Sequence, residues 1–199
     1  MNLQLRFTMS RHTKTVVQSA ILKSAANLTA QLFRYSTNPT APPLDWNAVF
    51  EFAIFGLIQA QVNCHWQEFL EDSFPSYSTF AKPADQTTAP KKIIQWRNII
   101  YKILLDQTIG LFLMNTIFLV CTNFKQSGNA SVLVAEVNRK IWPLIVNAWK
   151  VWPACSLCNF LWVPVESRVL VASCVGFGWN IFLAFFYDGQ VKGRSMPSA

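Results

Sequence analysis

The sequence predicts an all-α membrane protein: a bundle of about four transmembrane helices plus one helix lying at the membrane interface. Hydrophobic residues make up 52% of the 199 residues and charged residues only 14%, whereas soluble domains carry about 25% charged residues. The stretch Val169 to Tyr187 has no charged side chain. As a helix it would extend about 28 Å, close to the apolar thickness of a bilayer. A soluble protein with a large helical core is the alternative, but such a fold needs more charge to cover its surface.

Aromatic residues precede that stretch and support the same fold class. Trp149, Trp152 and Trp162 lie before it, together with Arg168, and interfacial tryptophans and cations mark membrane boundaries. We therefore expect Val169 to Tyr187 to be the last membrane span.

Three earlier segments are also predicted to cross the membrane: Thr15 to Phe33, Asp45 to Leu70 and Ile99 to Val120. Prolines in the linkers exclude a continuous helix between them. Residues Ser131 to Trp152 carry charges beside an apolar face, which is typical of a helix lying at the interface. The predicted organisation is thus a basic segment 1–14, one membrane domain over 15–187 and a mobile tail over 188–199.

The net charge of +7 does not indicate nucleic acid binding, because no basic cluster is interleaved with aromatic residues. The cations lie beside apolar runs, and those between Lys91 and Lys102 are expected to meet lipid headgroups. The acid-free segment 1–14 is consistent with mitochondrial targeting or with simple charge bias beside the first helix. Four spans would place both termini on the same side of the membrane.

A pattern of fixed spacing runs through the C-terminal region, of the form W-P-x-x-Q-x-x-N-F-x-x-V-P-x-x-x-R followed by W-N-x-x-L-S. Ser156 and Ala184 depart from it, and the residues that carry it are Trp152, Pro153, Asn159, Phe160, Val163, Pro164, Arg168, Trp179, Asn180 and Leu183. The pattern resembles the C-terminal signature of the Mpv-seventeen family, which includes the twenty-two-kilodalton peroxisomal membrane protein. The resemblance implies a multi-pass protein of the mitochondrial inner membrane, or secondly of the peroxisomal membrane, with channel-like conductance.

Several polar side chains within or beside the spans need either water or one another, because lipid cannot hydrogen-bond them. They are the candidates for lining a pore or for joining the bundle. The set comprises Asn27, Gln31, Gln59, Asn63, His65, Asp106, Gln107, Asn159, Arg168 and Asn180. Asp106 lies one turn after Lys102, so an ion pair within the helix is available. The sequence allows two interpretations of Asp106: it lines an aqueous cavity, or it is a structural clamp between helices.

The sequence predicts no catalytic constellation, no cofactor and no metal site. The two histidines, His12 and His65, are far apart in sequence, and an isolated intramembrane histidine such as His65 is more often a hydrogen-bonded packing residue than a ligand. Five cysteines suggest no disulfide framework. The C-x-x-C at Cys155 and Cys158 lacks the second pair that a zinc site normally needs.

The expected function is therefore a small non-selective channel or solute-permeability factor in an organelle membrane, and not an enzyme. The alternative is a non-conducting membrane organiser or complex subunit, with partners at the small-residue faces of Gly56 or of Gly176 and Gly178. The expected partners are the lipid bilayer, small solutes or ions, and a homo-oligomer or other membrane subunits, but not nucleic acid.

Overall fold

The structure is a computed structural model that describes residues 11–37, 42–80, 91–123 and 129–194, with side chains for most of them. It contains six helices in this part of the chain. Their bounds are α1 Arg11–Thr37, α2 Trp46–Ser73, α3 Trp96–Asn123, α4 Ala130–Ala148, α5 Trp152–Trp162 and α6 Val165–Arg194. Two short strands, β1 Tyr77–Phe80 and β2 Lys91–Ile94, pair antiparallel between α2 and α3.

Local sequence explains where several helices begin and end. The side chain of Asp45 accepts a hydrogen bond from the Ala48 amide and caps α2, which satisfies a donor that the first turn of a helix leaves free. Asn129 caps α4 in the same way through the Val132 amide. Pro164 separates α5 from α6, since the residue before a proline is driven out of helical geometry; Val163 is indeed extended.

Helices α4 and α5 together run antiparallel to the whole of α3. The contacts advance steadily along both segments: Lys140 bonds Asn123, Ile145 packs with Leu119, and Phe160 packs with Ile99. The short break between α4 and α5 therefore does not change the direction of the chain. The two helices form one return pass of the bundle.

The described chain thus makes five passes, formed by α1, α2, α3, α4 with α5, and α6. Helix α6 runs parallel to α1, because Val169 packs with Val16 and Ser173 Oγ donates to Ser19 Oγ at 3.0 Å. The start of α1 and the end of α6 consequently lie at opposite ends of the bundle. This differs from the prediction of four spans with both termini on one side and with residues Ser131 to Trp152 lying at the interface.

One helix, Trp96–Asn123, is long and apolar enough by itself to cross a membrane among the residues described. It contains the predicted span Ile99 to Val120. The other three predicted spans lie within α1, α2 and α6, but the four-span arrangement is not confirmed. Large apolar side chains are nevertheless exposed around the bundle, among them Ile21, Phe50 and Ile100, and apolar surface of this extent indicates lipid or a protein partner.

The β1–β2 hairpin and the full length of the C-terminal helix are two details that the sequence did not predict. Between the second and third predicted spans, residues from Lys91 to Ile94 form a strand that pairs with β1. Helix α6 continues to Arg194, past Asp188 where the tail was predicted to begin. Only residues 195–199 of that predicted tail lie outside the described residues.

Helices α1 and α2 approach each other closely at Gly56. A Cβ at this position would lie 2.6 Å from the Cα of Ala20, so only glycine permits the contact. Lys23 lies over the Phe55 ring, with Nζ 4.8 Å from the ring centre. This cation within an apolar helix is therefore turned toward an aromatic ring of α2.

Candidate functional site

Two polar networks lie side by side at the end of the bundle that carries the β1–β2 hairpin, which we call the hairpin end. We define the Asp106 network as Asp106, Gln107, Trp66, Trp149 and Ser156. We define the Glu71 network as Glu71, Ser76, Lys102 and Arg168. Between them they join α2, the hairpin, α3, α5 and α6.

The Asp106 network is built on a π-helical turn, Asp106–Gly110, within α3. Both carboxylate oxygens of Asp106 accept hydrogen bonds: Oδ1 from the Trp66 indole at 3.1 Å, and Oδ2 from Ser156 Oγ at 2.6 Å and from Gln107 at 3.2 Å. The Gln107 amide also donates to Ser156 Oγ at 3.0 Å. Trp149 donates to the backbone carbonyl of Gln107 at 3.0 Å. A carboxylate held this way acts as a clamp between α2, α3 and α5.

The Glu71 network holds two cations around one carboxylate. Lys102 Nζ lies 2.6 Å and Arg168 Nη2 2.8 Å from Glu71 Oε2. Lys102 is fully buried and Arg168 is 3% exposed, whereas Glu71 retains 22%. Ser76 completes the network: its amide donates to Glu71 Oε1 at 2.7 Å, and its hydroxyl contacts Lys102. Both cations also lie over the Phe160 ring.

Glu71 lies just beyond the segment predicted to span, and its pKa is shifted. Burial by itself raises the pKa of a carboxyl group, but hydrogen bonds from Lys102, the Ser76 amide and Arg168 outweigh it and lower the pKa of Glu71 from 4.5 to about 2. Glu71 is therefore ionised at neutral pH. The network then carries one negative and two positive charges.

Four buried polar atoms have no hydrogen-bond partner among the described residues, and two of them belong to members of these networks. They are Gln67 Oε1, Gln107 Oε1, Asn159 Oδ1 and Arg168 Nη1, and each comes from a different helix of the set α2, α3, α5 and α6. Buried polar groups in proteins normally find a protein or water partner. Buried water molecules typically bond to polar groups that are otherwise unsatisfied.

The structure brings four of the predicted polar residues together here: Asp106, Gln107, Asn159 and Arg168. Asn27 and Gln31 lie elsewhere; Gln31 bonds Asn27 at 2.7 Å and the backbone of Asp45, which fastens α1 to the start of α2. Gln59 and Asn63 lie on α2 outside both networks. The side chains of Asn180 and Leu183 lie outside the described ones.

The signature residues of the C-terminal region serve mainly to place these networks. Phe160 is buried under the two cations, and Pro164 turns the chain so that Arg168 faces Glu71. Trp152 and Pro153 begin α5. Ser156, at one of the departures from the pattern, is a direct partner of Asp106.

The sequence did not predict Glu71, Ser76 or Lys102 as site residues. Lys102 was expected to pair with Asp106 or to meet lipid headgroups; both expectations are wrong, since it pairs with Glu71. One feature of the sequence could have identified Lys102. A lysine inside an apolar helix is costly unless it is paired, so Lys102 required an acid from another segment.

The histidines and the C-x-x-C lie outside both networks. His65 is 63% exposed rather than packed in the bundle, and its Nδ1 lies 3.6 Å from Glu68. His12, distant in sequence, lies on the other side of the same carboxylate. The expectation of no metal site depended on the distance between the two histidines in sequence. The fold brings them close together in space. Cys155 and Cys158 are free thiols, the first half-buried and the second exposed.

Comparison with known proteins shows a family likeness in the C-terminal part of the chain. Residues 124–184, which hold α4, α5 and the first part of α6, match the Mpv17 / PMP22 family. The family resemblance is confirmed. The match covers Trp149 and Ser156 of the Asp106 network and Arg168 of the Glu71 network.

Several curated proteins resemble the chain over most of its length. PXMP2/4 family protein 3 of Dictyostelium discoideum is 28% identical over 83% of this chain and 78% of its own. Protein SYM1 of Saccharomyces cerevisiae is 22% identical over 96% and 91%, and peroxisomal membrane protein 2 of Bos taurus is 24% identical over 83% and 78%. No solved structure matches the chain.

Proposed function

We propose that this chain is a multi-pass protein of an organelle membrane that allows small solutes to cross with little selectivity. The family relatives support the organelle membrane, one of them being named as a peroxisomal membrane protein. The mitochondrial inner membrane remains our first expectation for this chain and the peroxisomal membrane the second. We also infer that the protein is not an enzyme, as its polar groups form ion pairs and clamps.

The distribution of aromatic residues supports a membrane-crossing bundle. Trp96 and Trp162 are exposed by 57% and 74% at the hairpin end, and Trp46 by 65% at the other end. Exposed tryptophans at both ends of a bundle match the two aromatic belts of a membrane protein. The exposed apolar side chains between them are then covered by lipid.

The buried polar atoms without a partner carry the proposal for permeation. Gln67, Gln107, Asn159 and Arg168 each have one such atom, and inside a membrane such atoms require water or one another. The formal charges of Glu71, Asp106, Lys102 and Arg168 cancel. A hydrated path along these residues would therefore discriminate weakly between anions and cations.

A flux assay tests this proposal. Purified protein in liposomes should release small solutes faster than protein-free liposomes. Tight vesicles that contain folded protein would contradict it.

Removal of the Asp106 charge tests whether this residue influences ion selectivity. Asp106→Asn leaves the two networks with one excess positive charge, and we expect anion over cation permeability to rise, on the order of a few-fold. The reversal potential under a salt gradient measures this. Glu136→Gln is the matched control, because Glu136 pairs with Arg139 and Lys140 on the surface of α4. Equal reversal potentials for both variants would exclude the path along Asp106.

A non-conducting membrane organiser is the second candidate, and the closed hydrogen bonding of Asp106 favours it. That carboxylate has partners on both oxygens, as a purely structural clamp requires. The predicted partner face at Gly56 is occupied by α1 of the same chain. Gly178 remains open, with nothing within 4 Å of an added Cβ. Cross-linking from Gly178→Cys to a second subunit, combined with tight vesicles, would support this function instead.

A further inference from the structure

The fold brings together the two histidines of the chain and one carboxylate, outside both polar networks. His12 lies in the first turn of α1, and His65 and Glu68 lie three residues apart near the end of α2. His12 Nε2 is 2.6 Å from Glu68 Oε1, and His65 Nδ1 is 3.6 Å from Glu68 Oε2. One potential ligand atom from each residue lies within 4.8 Å of the others.

These donors are of the right kind for zinc and similar ions. Two imidazole nitrogens and a carboxylate oxygen are the ligand set of several catalytic and open zinc sites, and imidazole favours Zn²⁺, Cu²⁺ and Ni²⁺ over the hard ions Mg²⁺ and Ca²⁺. In a tetrahedral site with bonds of about 2.0–2.2 Å, neighbouring ligand atoms lie about 3.4 Å apart. The observed separations differ from this value by amounts that a change of side-chain rotamer can make up. His65 is 63% and Glu68 41% exposed, so both side chains have room to adjust.

A second residue is placed to orient His65. The Gln61 amide lies 2.9 Å from His65 Nε2, the ring nitrogen that does not face Glu68. Metal-binding histidines commonly donate their other N–H to an oxygen acceptor, which fixes the ring. The Gln61 amide, turned so that its oxygen faces the ring, provides this acceptor, and a glutamine amide can be placed either way round.

We propose that His12, His65 and Glu68 form a binding site for a divalent transition metal ion, with zinc the preferred class. The ion has three protein ligands and an open position that faces solvent. It links the start of α1 to the end of α2 at the hairpin end of the bundle. This site is independent of the permeation proposal, since none of its residues belongs to either polar network.

Zinc titration of the full-length protein in detergent tests the proposal. The parent should carry Cys155→Ser, Cys158→Ser and Cys174→Ser, because the first thiol is partly accessible and the other two are exposed, and accessible thiols bind zinc themselves. Calorimetry with zinc chloride should show one ion per chain, and zinc should raise the unfolding temperature by about a few degrees. Magnesium chloride should give neither effect.

Single variants identify the ligands. Because loss of an outer-shell partner alone lowers metal affinity about 10- to 100-fold, His12→Asn, His65→Asn and Glu68→Gln should each weaken zinc binding about 100-fold or more. Gln61→Leu should weaken it about tenfold. Glu136→Gln, a carboxylate on another helix with no histidine beside it, should leave binding unchanged.

The controls keep the result interpretable. His65 is largely exposed, so His65→Asn should keep the helical circular dichroism and metal-free unfolding temperature of the parent, even if His12→Asn does not. Zinc binding equal in the parent and in His65→Asn would overturn the proposal. So would the absence of zinc binding to the parent, or equal binding of magnesium.

Discussion

Individual residues in this protein depend on partners that sequence proximity did not reveal. Lys102 stands one turn from Asp106 in α3, yet its ammonium group bonds Glu71 on α2. Asp106 instead accepts hydrogen bonds from the uncharged side chains of Trp66, Gln107 and Ser156. The sequence predicted that Asp106, Gln107, Asn159 and Arg168 need polar partners, because they lie within or beside apolar helices. The identity of those partners was not predictable, because pairing between helices is decided by packing.

Loss of the Glu71 carboxylate should be severe for this reason. Glu71→Gln leaves two buried cations facing each other, and removing one partner of a buried pair typically costs about 3–5 kcal/mol. The partial exposure of Glu71 puts the expected loss near the lower figure. Thermal unfolding in detergent measures it. Glu136→Gln, which removes surface ion pairs, should cost far less because water screens exposed pairs, and equal losses in the two variants would contradict the buried network.

The lowered pKa of Glu71 makes a separate prediction for acid stability. The pKa of Glu71 is about 2 in the folded protein against 4.5 for the free group. Its ionisation therefore stabilises the fold above pH 4.5, and this contribution is lost as the pH falls toward 2. The difference in unfolding temperature between wild type and Glu71→Gln should shrink over that window. A difference that stays constant with pH would exclude an ionised, paired Glu71.

At the level of elements, small residues and one irregular turn set how the helices meet. The π turn in α3 points Asp106 toward Trp66 and Ser156, and such turns occur frequently at functional sites. Gly110 within that turn lies under the Trp66 indole, where a Cβ would come within 2.9 Å of Nε1. The helices themselves were predictable from apolar runs and prolines. The π turn was not, because it is stabilised by contacts from α2 and α5.

The contact between α1 and α2 can be tested with a matched pair of glycines. Gly56→Ala places a methyl group 2.6 Å from the backbone of Ala20, and overpacking of this kind typically costs about 1–3 kcal/mol. Gly178→Ala adds the same methyl group in open space, where alanine stabilises a helix by up to about 1 kcal/mol. Unfolding temperatures should move in opposite directions. A Gly56→Ala variant as stable as wild type would show that α1 and α2 do not meet at this position.

For the whole molecule, the number of passes was the property hardest to predict from sequence. Residues Ala130 to Ala148 contain Glu136, Arg139, Lys140 and Pro143, a pattern typical of a helix at the membrane surface. In the fold, Glu136 neutralises both neighbouring cations, and Ile141 and Ile145 pack against α3. Helices α4 and α5 then extend along α3 as one pass. The described helices therefore make five passes of the bundle, where four spans were predicted.

The positions of the two ends of the chain distinguish these arrangements. If all five passes cross the membrane, a tag before α1 and a tag after α6 lie on opposite sides, so protease added to intact organelles should digest only one of them. A tag inserted between β1 and β2 should behave as the N-terminal tag does, because the hairpin and the start of α1 lie at the same end of the bundle. Digestion of both terminal tags before the membrane is opened would restore an even number of crossings. In that arrangement Arg168 could not reach Glu71, since the two residues would lie on opposite faces of the membrane.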